Sequence, residues 1–300
     1  MNHEADKGIM LINRLTGELQ KETVFGDAAL RFIYESLLGR TLWGIAFNSA
    51  GLSEMLGRRY DSPASKKKIP ALASTPGCNP EEAEFPPEHY ENFNAFFTRK
   101  LKPGARPFDA APNLLSSPSD GRVFVYENLK PTDPVPVKGA QRTLNDLCQE
   151  SLPAESLAVA VIRLAPVDYH RYHFPCDCEQ IENPVVVRGK YHSVNPIALV
   201  KRPDVYVENT RQITTLESDV FGSFRYLEVG AFGVGSIIQT AQPGKHAKID
   251  EKGMFKFGGS TVILVFDNAR LQWDADLLEN TRKGYETLIR MGMTLASAKN

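Results

Sequence analysis

A chain of 300 residues, of which 42% are hydrophobic and 24% charged, is long enough for one large domain or two medium ones around a substantial core. Its formal net charge of −1 gives no broadly basic face, which argues against nucleic acid as a partner. Four cysteines are too few for a disulfide scaffold, and no apolar stretch is long enough to span a bilayer, so we expect a reducing, cytosolic setting.

The first predicted element is an amphipathic helix over residues 27–47, with Asp27 as its N-cap. Its apolar positions recur at helical spacing, at Leu30, Ile33, Tyr34, Leu37, Leu38, Leu42 and Ile45. Five cations follow the helix, at Arg58, Arg59, Lys66, Lys67 and Lys68. This combination suits the surface of an anionic membrane. The alternative is a helix that packs into the core beside a solvated loop.

Residues 70–87 are rich in Pro and Glu, which is typical of a linker, and residues 90–97 predict a short aromatic helix. Beyond about residue 110 the chain turns to short runs rich in Val and Ile, at residues 123–126, 157–164, 185–187, 237–238 and 262–266. These runs predict strands, so the fold class is α+β, with N-terminal helices followed by a β-rich catalytic core. The absence of a G-x-G-x-x-G or Walker A motif argues against a nucleotide enzyme.

An acidic turn at Asp120 enters the first of these strands and by itself is an ordinary turn. After the second strand comes the densest polar cluster, with His170 and His173 three residues apart in a loop bounded by prolines. A rigid loop after a strand is where catalytic imidazoles are often presented. Plain structural histidines are one alternative. A zinc site that adds Cys176 and Cys178 is another, although Cys-x-Cys is shorter than the usual zinc spacing.

The last informative segment is Gly258-Gly259-Ser260-Thr261, directly before the apolar run at residues 262–266. Two glycines leave the peptide bond before Ser260 unhindered, so the serine hydroxyl can turn back on the carbonyl of Gly259. Such a reaction would cut the chain itself. The alternative is a tight turn or bulge before a buried strand.

Seven segments follow one another in a fixed order: residues 96–107, 119–121, 168–175, 193–196, 229–231, 234–237 and 257–261. They begin with Phe-Phe-Thr-Arg, contain Asp-Tyr-His-Arg-Tyr-His, and end with Phe-Gly-Gly-Ser-Thr. In this order they resemble the signatures of the phosphatidylserine decarboxylase family. The resemblance covers about residues 90–267, and the N-terminal helices are similar only in character.

The resemblance implies that Ser260 attacks the carbonyl of Gly259, that the resulting ester eliminates to dehydroalanine, and that hydrolysis leaves a pyruvoyl group and ammonia. The chain is thereby divided into a β chain, residues 1–259, and an α chain that begins at residue 260. The pyruvoyl ketone then condenses with the serine amine of the lipid and accepts the electrons released as CO₂ leaves. We expect this covalent group as the cofactor, and no metal.

The resemblance also implies a self-cleavage triad of Asp120, His173 and Ser260, in which His173 is the base and Asp120 fixes its tautomer. His170 then serves decarboxylation, by protonating the carbanion or positioning the carboxylate. The assignment of one histidine against the other comes from the family pattern, because sequence spacing does not separate them.

The chain departs from the family pattern in three places. It has Asn-Thr-Arg at residues 209–211, where Asn-Glu-Arg is usual, and Ile249 follows Lys248, where Gly is usual. Its cleavage tetrapeptide is Gly-Gly-Ser-Thr in place of the commoner Leu-Gly-Ser-Thr, a variant typical of a second subgroup of the family. Because the Gly-Ser bond and the following Thr are kept, we expect self-cleavage to survive.

We therefore predict a phosphatidylserine decarboxylase that makes phosphatidylethanolamine, peripheral to the cell membrane on its cytoplasmic side. Residues 1–88 are expected to form a helical membrane-associating region and linker, and residues 89–300 the catalytic domain. The expected partners are phosphatidylserine, the anionic membrane surface, the chain's own α and β fragments and a second copy in a homodimer. One alternative is a pyruvoyl-dependent decarboxylase of another serine lipid or an amino acid. Another is a cleavage-dead lipid-binding relative.

Overall fold

A computed structural model describes residues 9–22, 57–194, 196–231, 237–257 and 260–299. The predicted amphipathic helix at residues 27–47 lies outside these ranges, as do Gly258 and Gly259. The arrangement of N-terminal helices therefore stays a prediction. Within the described ranges, no helix has the length and apolar character needed to cross a bilayer.

Strands dominate the described residues. They are β1 Met10–Asn13, β2 Leu19–Lys21, β3 Leu114–Ser116, β4 Gly121–Leu129, β5 Leu157–Leu164, β6 Arg171–His173, β7 Cys178–Gln180, β8 Val185–Val187, β9 Arg211–Ser218, β10 Gly222–Gly230, β11 Ile237–Gln239, β12 Gly244–His246, β13 Glu251–Phe255, β14 Ser260–Asp267, β15 Leu271–Trp273, β16 Glu286–Ile289 and β17 Thr294–Ala298. The α-helices are α1 Ile69–Ala73, α2 Phe93–Phe97, α3 Leu144–Cys148, α4 Pro196–Lys201, α5 Val205–Glu208 and α6 Ala275–Arg282. Short 3₁₀ helices lie at Pro63–Lys68, Pro80–Glu82 and Pro87–His89.

The large sheet has the strand order β12-β7-β9-β10-β14-β5-β4-β16-β1-β2, with β8 also paired to β9. Its neighbours are antiparallel except for β1 and β16, which run parallel. The strand β14 lies in the middle, pairing over Ser260–Asp267 with β5 and over Ser260–Val265 with β10. Two three-stranded sheets, β11-β13-β6 and β15-β17-β3, accompany it.

Both faces of β5 and β14 are covered, which explains why residues 157–162 of β5 and residues 262–266 of β14 are unbroken apolar runs. Successive side chains of a strand point to opposite faces, so alternate residues enter different clusters. Ile162, Leu164, Val262, Leu264 and Phe266 belong to one cluster, and Val159, Val161, Ile263 and Val265 belong to the other. The centre of the sheet is therefore a rigid base for whatever lies at the ends of these strands.

The β-rich core expected from the sequence is confirmed, because each of the five predicted runs lies within a strand. The predicted aromatic helix is α2, capped by the Asn92 side chain, which accepts a hydrogen bond from the main-chain nitrogen of Ala95 at 2.9 Å. The strands β1 and β2 were not predicted. They extend the large sheet through β16, so part of the N-terminal region belongs to the same sheet as the predicted catalytic domain. The boundary at residue 88 stays a prediction.

The stretch at residues 70–87 was expected to be a linker, but it is packed. Leu72, Cys78 and Ala83 are buried, and the first two pack in one cluster with the phenylalanines of α2. Composition alone suggested solvation because the stretch has few apolar residues. Those few lie against an aromatic helix, and that contact holds the segment in place.

Candidate active site

Four neighbouring strands of the large sheet begin or end at the same end of the strands. Ser260 is the first residue of β14 and pairs with Leu164 at the end of β5 and with Gly230 at the end of β10. Asp120 directly precedes β4, which runs antiparallel to β5, so Asp120 lies at the same end of the strands. The sheet pairing thus brings Ser260 and Asp120 to one end of the molecule from positions 140 residues apart.

The two histidines lie near this end of the strands, in the segment that follows β5. The chain turns after Leu164, and β6 then pairs with β13 in the small sheet. The main-chain nitrogen of His173 donates to the carbonyl of Pro118 at 2.8 Å, which ties β6 to the turn that carries Asp120. The carbonyl of His170 accepts from the nitrogen of Phe255 at 2.9 Å, five residues before Ser260.

Each imidazole is oriented by a main-chain carbonyl. Nδ1 of His170 lies 3.0 Å from the carbonyl oxygen of Asp168, and Nδ1 of His173 lies 2.8 Å from that of Ile249. Because a carbonyl oxygen only accepts, these contacts assign the hydrogen to Nδ1 in both rings and leave Nε2 as an acceptor. The hydroxyl of Tyr169 lies 3.3 Å from Nε2 of His173, whereas Nε2 of His170 is buried with no hydrogen-bond partner among the described residues.

Burial makes both imidazoles neutral at ordinary pH. His170 is fully buried with its ring against Phe97, at a centroid distance of 3.8 Å, and burial lowers its pKa to about 3. Burial also lowers the pKa of His173, and the Ile249 carbonyl and the carboxylates of Glu251 and Asp120 oppose that shift in part. Neutral rings whose Nε2 carries no hydrogen are bases, so both residues can accept a proton.

The carboxylate of Asp120 forms a bidentate ion pair with Arg106, at 2.9 Å to Nε and 2.6 Å to Nη2, and accepts from the main-chain nitrogen of Met291 at 2.8 Å. The expected hydrogen bond from His173 to Asp120 is not among the described contacts. The carbonyl of Ile249 takes that position, and Asp120 acts on His173 through its charge.

Ser260 is 1% exposed, and its hydroxyl has no hydrogen-bond partner among the described residues. A buried hydroxyl that forms no hydrogen bond is rare in folded proteins and calls for an explanation. The hydroxyl lies at the strand end toward which the Asp120 turn and the histidine segment converge. The four residues expected from the sequence therefore share one region.

Several residues of this region were not predicted. Arg106 holds Asp120, Tyr169 contacts His173, and Ile249 orients His173. Tyr169 and Arg106 lie inside segments that carry the family resemblance. The sequence therefore marked both residues, but it did not indicate which side chains they contact. Ile249 was visible as a departure from the usual Gly, and its φ of 73° is the left-handed backbone that Gly adopts without strain.

A cavity of about 380 Å³ opens beside these residues, and its wall includes Asp120, Tyr169 and four arginines, Arg99, Arg106, Arg122 and Arg290. Arg122 belongs to a buried network in which it pairs with Asp168 and Glu22. The cavity is thus polar and charged, and it reaches the Asp120 turn directly.

The structure does not bring the four residues of the zinc interpretation together. Among the described residues, no group of three or more His, Cys, Asp or Glu side chains is placed to hold a metal ion. His170 and His173 are directed at main-chain carbonyls, while Cys176 and Cys178 are free thiols in the core. The hydrogen bond with Cys176, together with burial, raises the pKa of the Cys178 thiol.

Known proteins of one family are similar to this chain over most of its length. A model of the family described as phosphatidylserine decarboxylase matches residues 93–297. A "Phosphatidylserine decarboxylase proenzyme" of Fusobacterium nucleatum is 38% identical over 97% of this chain and 98% of its own length. Proenzymes of the same name from Clostridium novyi and Clostridium botulinum are each 40% identical, over 95% and 97% of this chain and 97% and 100% of their own lengths. The chain belongs to the phosphatidylserine decarboxylase family.

Proposed function

We propose that this chain is a self-cleaving proenzyme that decarboxylates phosphatidylserine to phosphatidylethanolamine with a pyruvoyl group made from Ser260. The observation that carries the proposal is the buried hydroxyl of Ser260 at the start of β14, which has no hydrogen-bond partner in the described part of a chain of this family. Its relatives are named as proenzymes of this activity, and the similarity extends over nearly their whole length.

Self-cleavage begins at the hydroxyl of Ser260. A base removes its proton as the oxygen attacks the carbonyl of Gly259, and the amide becomes an ester. The family pattern assigns the base to His173, and its ring meets the requirements of a base, because its Nε2 carries no hydrogen and burial keeps the ring neutral. The charge of Asp120 favours the imidazolium that results, and Tyr169 donates to the same Nε2 before the reaction. The ester then eliminates, which divides the chain into residues 1–259 and 260–300.

Position 260 fits a pyruvoyl group. The hydroxyl has no hydrogen bond with any described residue that conversion would break, the side chain is buried, and β5 and β10 hold the main chain on both sides. When formed, the group supplies a carbonyl that takes the amine of the substrate and draws electrons away as CO₂ departs. Nε2 of His170 takes up a proton and returns it at the carbon that loses CO₂, because no described residue forms a hydrogen bond with this nitrogen.

A denaturing gel and a carbonyl label test the proposal together. The wild-type chain is expected to give fragments of 259 and 41 residues, and the shorter one is expected to react with a hydrazide and to lack a free N-terminal amine. The purified protein is expected to release CO₂ from phosphatidylserine vesicles but not from free L-serine. A single unlabelled wild-type band would contradict the proposal, and turnover of free serine would favour an amino acid decarboxylase.

Three variants make this test specific. Ser260→Ala is expected to stay whole and inactive, because the attacking oxygen is gone. Ser223→Ala removes a serine near the other end of β10 and is expected to cleave as the wild type does. His173→Ala is expected to slow cleavage by about 10²–10⁴-fold, the usual contribution of a general base.

We further propose that the protein binds the cytoplasmic surface of the cell membrane peripherally, as a homodimer, through the basic segment at residues 58–68. Its cations are exposed, and Lys66 and Lys67 form no ion pair with a described residue. The segment also lies beside the cleavage region: the ring of Tyr60 lies 4.6 Å from that of Phe257, and Lys256 pairs with Asp61 at 2.9 Å. A surface bound there would face the residues that precede Ser260.

Charge reversal tests the membrane contact. Replacing Lys66, Lys67 and Lys68 by Glu is expected to weaken sedimentation with phosphatidylserine vesicles, since each nearby cation contributes about 1 kcal/mol at an anionic surface. The same change at three other exposed lysines, Lys130, Lys138 and Lys245, is the matched control and is expected to have a smaller effect. Equal losses of vesicle binding in both variants would show that only net charge matters. Sedimentation velocity of the protein without vesicles tests the homodimer separately.

A further inference from the structure

Arg99 is a buried cation without a counter-ion among the described residues. It follows α2 and is 3% exposed, and its hydrogen bonds are all long: 3.3 Å to the carbonyl of Val167, 3.5 Å to those of Asp168 and Phe96, and 3.9 Å to Sγ of Cys78. The guanidinium also lies over the ring of Phe96, 5.0 Å from its centroid. Nε of Arg99 is buried and has no hydrogen-bond partner among the described residues. A guanidinium presents five donors, so most of the binding capacity of this side chain is unused.

Arg211 shows what a structural buried arginine looks like in the same chain. It is 1% exposed and also has no carboxylate partner among the described residues. Its guanidinium, however, donates to the carbonyls of Leu147 at 2.9 Å and Asp146 at 3.0 Å, and to two further carbonyls of the chain. The hydrogen-bond donors of Arg211 are thus used to join α3 to β9, whereas those of Arg99 form only long hydrogen bonds, or none, with the described residues.

Arg99 lies on the wall of the 380 Å³ cavity that also includes Asp120 and Tyr169. The carboxylates on that wall are already paired: Arg122 pairs with Glu22 and Asp168, and Arg106 pairs with Asp120 and Glu82. Among the described wall residues, Arg99 is the arginine that no carboxylate neutralises. A buried cation of this kind favours an anion in the adjoining space.

We propose that Arg99 binds the phosphodiester of the lipid head group, an inference that rests on the function proposed above. The substrate offers two anions, its carboxylate and its phosphodiester. An arginine on the carboxylate would stabilise the ground state, because that charge leaves with CO₂, and would thereby oppose catalysis. The phosphodiester keeps its charge from substrate to product, so its binding anchors the head group without a penalty on the chemical step. The planar fork of arginine matches two of its oxygens.

Direct binding to an uncleaved chain tests the assignment apart from catalysis. Ser260→Ala protein would be titrated calorimetrically with monomeric short-chain phosphatidylethanolamine, which has the phosphodiester but no serine carboxylate. Adding Arg99→Met is expected to weaken this binding about 10- to 100-fold, the range for hydrogen bonds to a charged group. Adding Arg99→Lys is expected to restore part of the loss, since the charge returns without the fork.

Four further measurements separate the outcomes. Short-chain diacylglycerol, which lacks phosphate, is expected to bind the parent and Arg99→Met equally, and inorganic phosphate is expected to bind far more weakly than the lipid. Arg211→Lys is the matched buried-arginine control: it is expected to lower thermal stability and leave lipid affinity within twofold. If Arg99→Met bound phosphatidylethanolamine as tightly as its parent but lost affinity for short-chain phosphatidylserine, the arginine would belong to the carboxylate and the proposal would be wrong.

Kinetics in the cleaving chain give an independent reading. Arg99→Lys is expected to raise KM for phosphatidylserine and the inhibition constant of phosphatidylethanolamine by the same factor, with kcat within about threefold of wild type. Cleavage on a gel is expected to be unchanged, because the head group takes no part in it. Loss of kcat at constant KM would overturn the proposal, whereas a wild-type chain without any decarboxylase activity would overturn the function on which it rests.

Discussion

Two main-chain carbonyls fix which nitrogen carries the hydrogen in each site histidine. In His170 and His173 alike, Nδ1 faces a carbonyl and Nε2 is left as the acceptor. A carbonyl of the backbone cannot be titrated, so this arrangement holds the reactive tautomer over a wide pH range. The cost lies in the burial that accompanies it, which disfavours the imidazolium of both residues.

His170 is expected to make the folded chain sensitive to mild acid. Its folded pKa is about 3 against an ordinary 6.5, so below pH 6.5 the unfolded chain takes up a proton that the folded chain refuses. Stability is therefore unaffected above pH 6.5 and falls as the pH drops toward 3. At pH 5 the loss from this one group is about 2 kcal/mol, from about 1.5 pKa units at about 1.36 kcal/mol each.

Urea unfolding of the Ser260→Ala chain between pH 7 and 4.5 measures this effect. Adding His170→Gln is expected to reduce the slope of the unfolding free energy against pH by the equivalent of about one bound proton. This change in slope is independent of the effect of the substitution on stability at pH 7. His89→Gln, which changes an exposed histidine, is expected to keep the original slope. An unchanged slope in the His170 variant would show that this histidine titrates normally.

The substitution Ile249→Gly is expected to raise the free energy of unfolding of the protein. A β-branched residue at φ 73° carries strain of about 1–2 kcal/mol, which Gly avoids at a cost of about 0.5–1 kcal/mol in chain entropy. Because the carbonyl that orients His173 belongs to the main chain, Ile249→Gly keeps the contact and is expected to cleave normally. Ile249→Ala is the control, since it removes the side chain without relieving the backbone. Equal unfolding free energies for the Gly and Ala variants would contradict the strain.

At the scale of elements, a buried ion pair joins the small histidine-bearing sheet to the large one. Lys252 of β13 and Glu228 of β10 are both fully buried, with 2.5 Å between Nζ and Oε1. Burial raises the pKa of Glu228 and lowers that of Lys252, so each charge depends on the other. The hydroxyl of Thr214 on β9 and the amide oxygen of Gln239 on β11 accept from the same ammonium at 2.9 Å.

Breaking this pair from one side is expected to cost far more than replacing both partners. Lys252→Met leaves an uncompensated carboxylate in the core and is expected to lower the free energy of unfolding by about 3–5 kcal/mol. The double variant Lys252→Met, Glu228→Leu removes that carboxylate and is expected to recover most of the loss. Urea unfolding in the Ser260→Ala background keeps the transition within one chain. If the double variant lost as much unfolding free energy as Lys252→Met and Glu228→Leu lose separately when added together, the two charges would be independent.

Elements with strong local patterns were predictable from the sequence, and those defined by distant partners were not. The strands β5 and β14 were visible as apolar runs because both of their faces are covered. The strands β1 and β2 are short and half exposed, and β1 pairs with β16, whose residues lie 275 positions later in the chain. The site shows the same division. Asp120, His170, His173 and Ser260 carry recognisable chemistry, whereas the roles of Arg106 and Ile249 depend on contacts that no local pattern encodes.

At the scale of the whole molecule, the proposed cleavage divides the chain without dividing the fold. Residues 260–300 contribute β14, which lies between β5 and β10, and β16, which lies between β4 and β1. The shorter fragment is therefore threaded through the middle of the large sheet. Removing it would leave the main-chain groups of four strands without partners in a dry core.

The two fragments are accordingly expected to stay together until the protein unfolds. With an affinity tag on residue 1, the 41-residue fragment is expected to remain bound through extensive washing and dilution to nanomolar concentration in native buffer. Its release is expected only at the urea concentration at which circular dichroism reports loss of the sheet, because β14 cannot leave without disrupting β5 and β10. Ser260→Ala, treated in the same way, should show the same unfolding signal with no released fragment. Release of the wild-type fragment well below the unfolding transition would mean that β14 is not held as the pairing indicates.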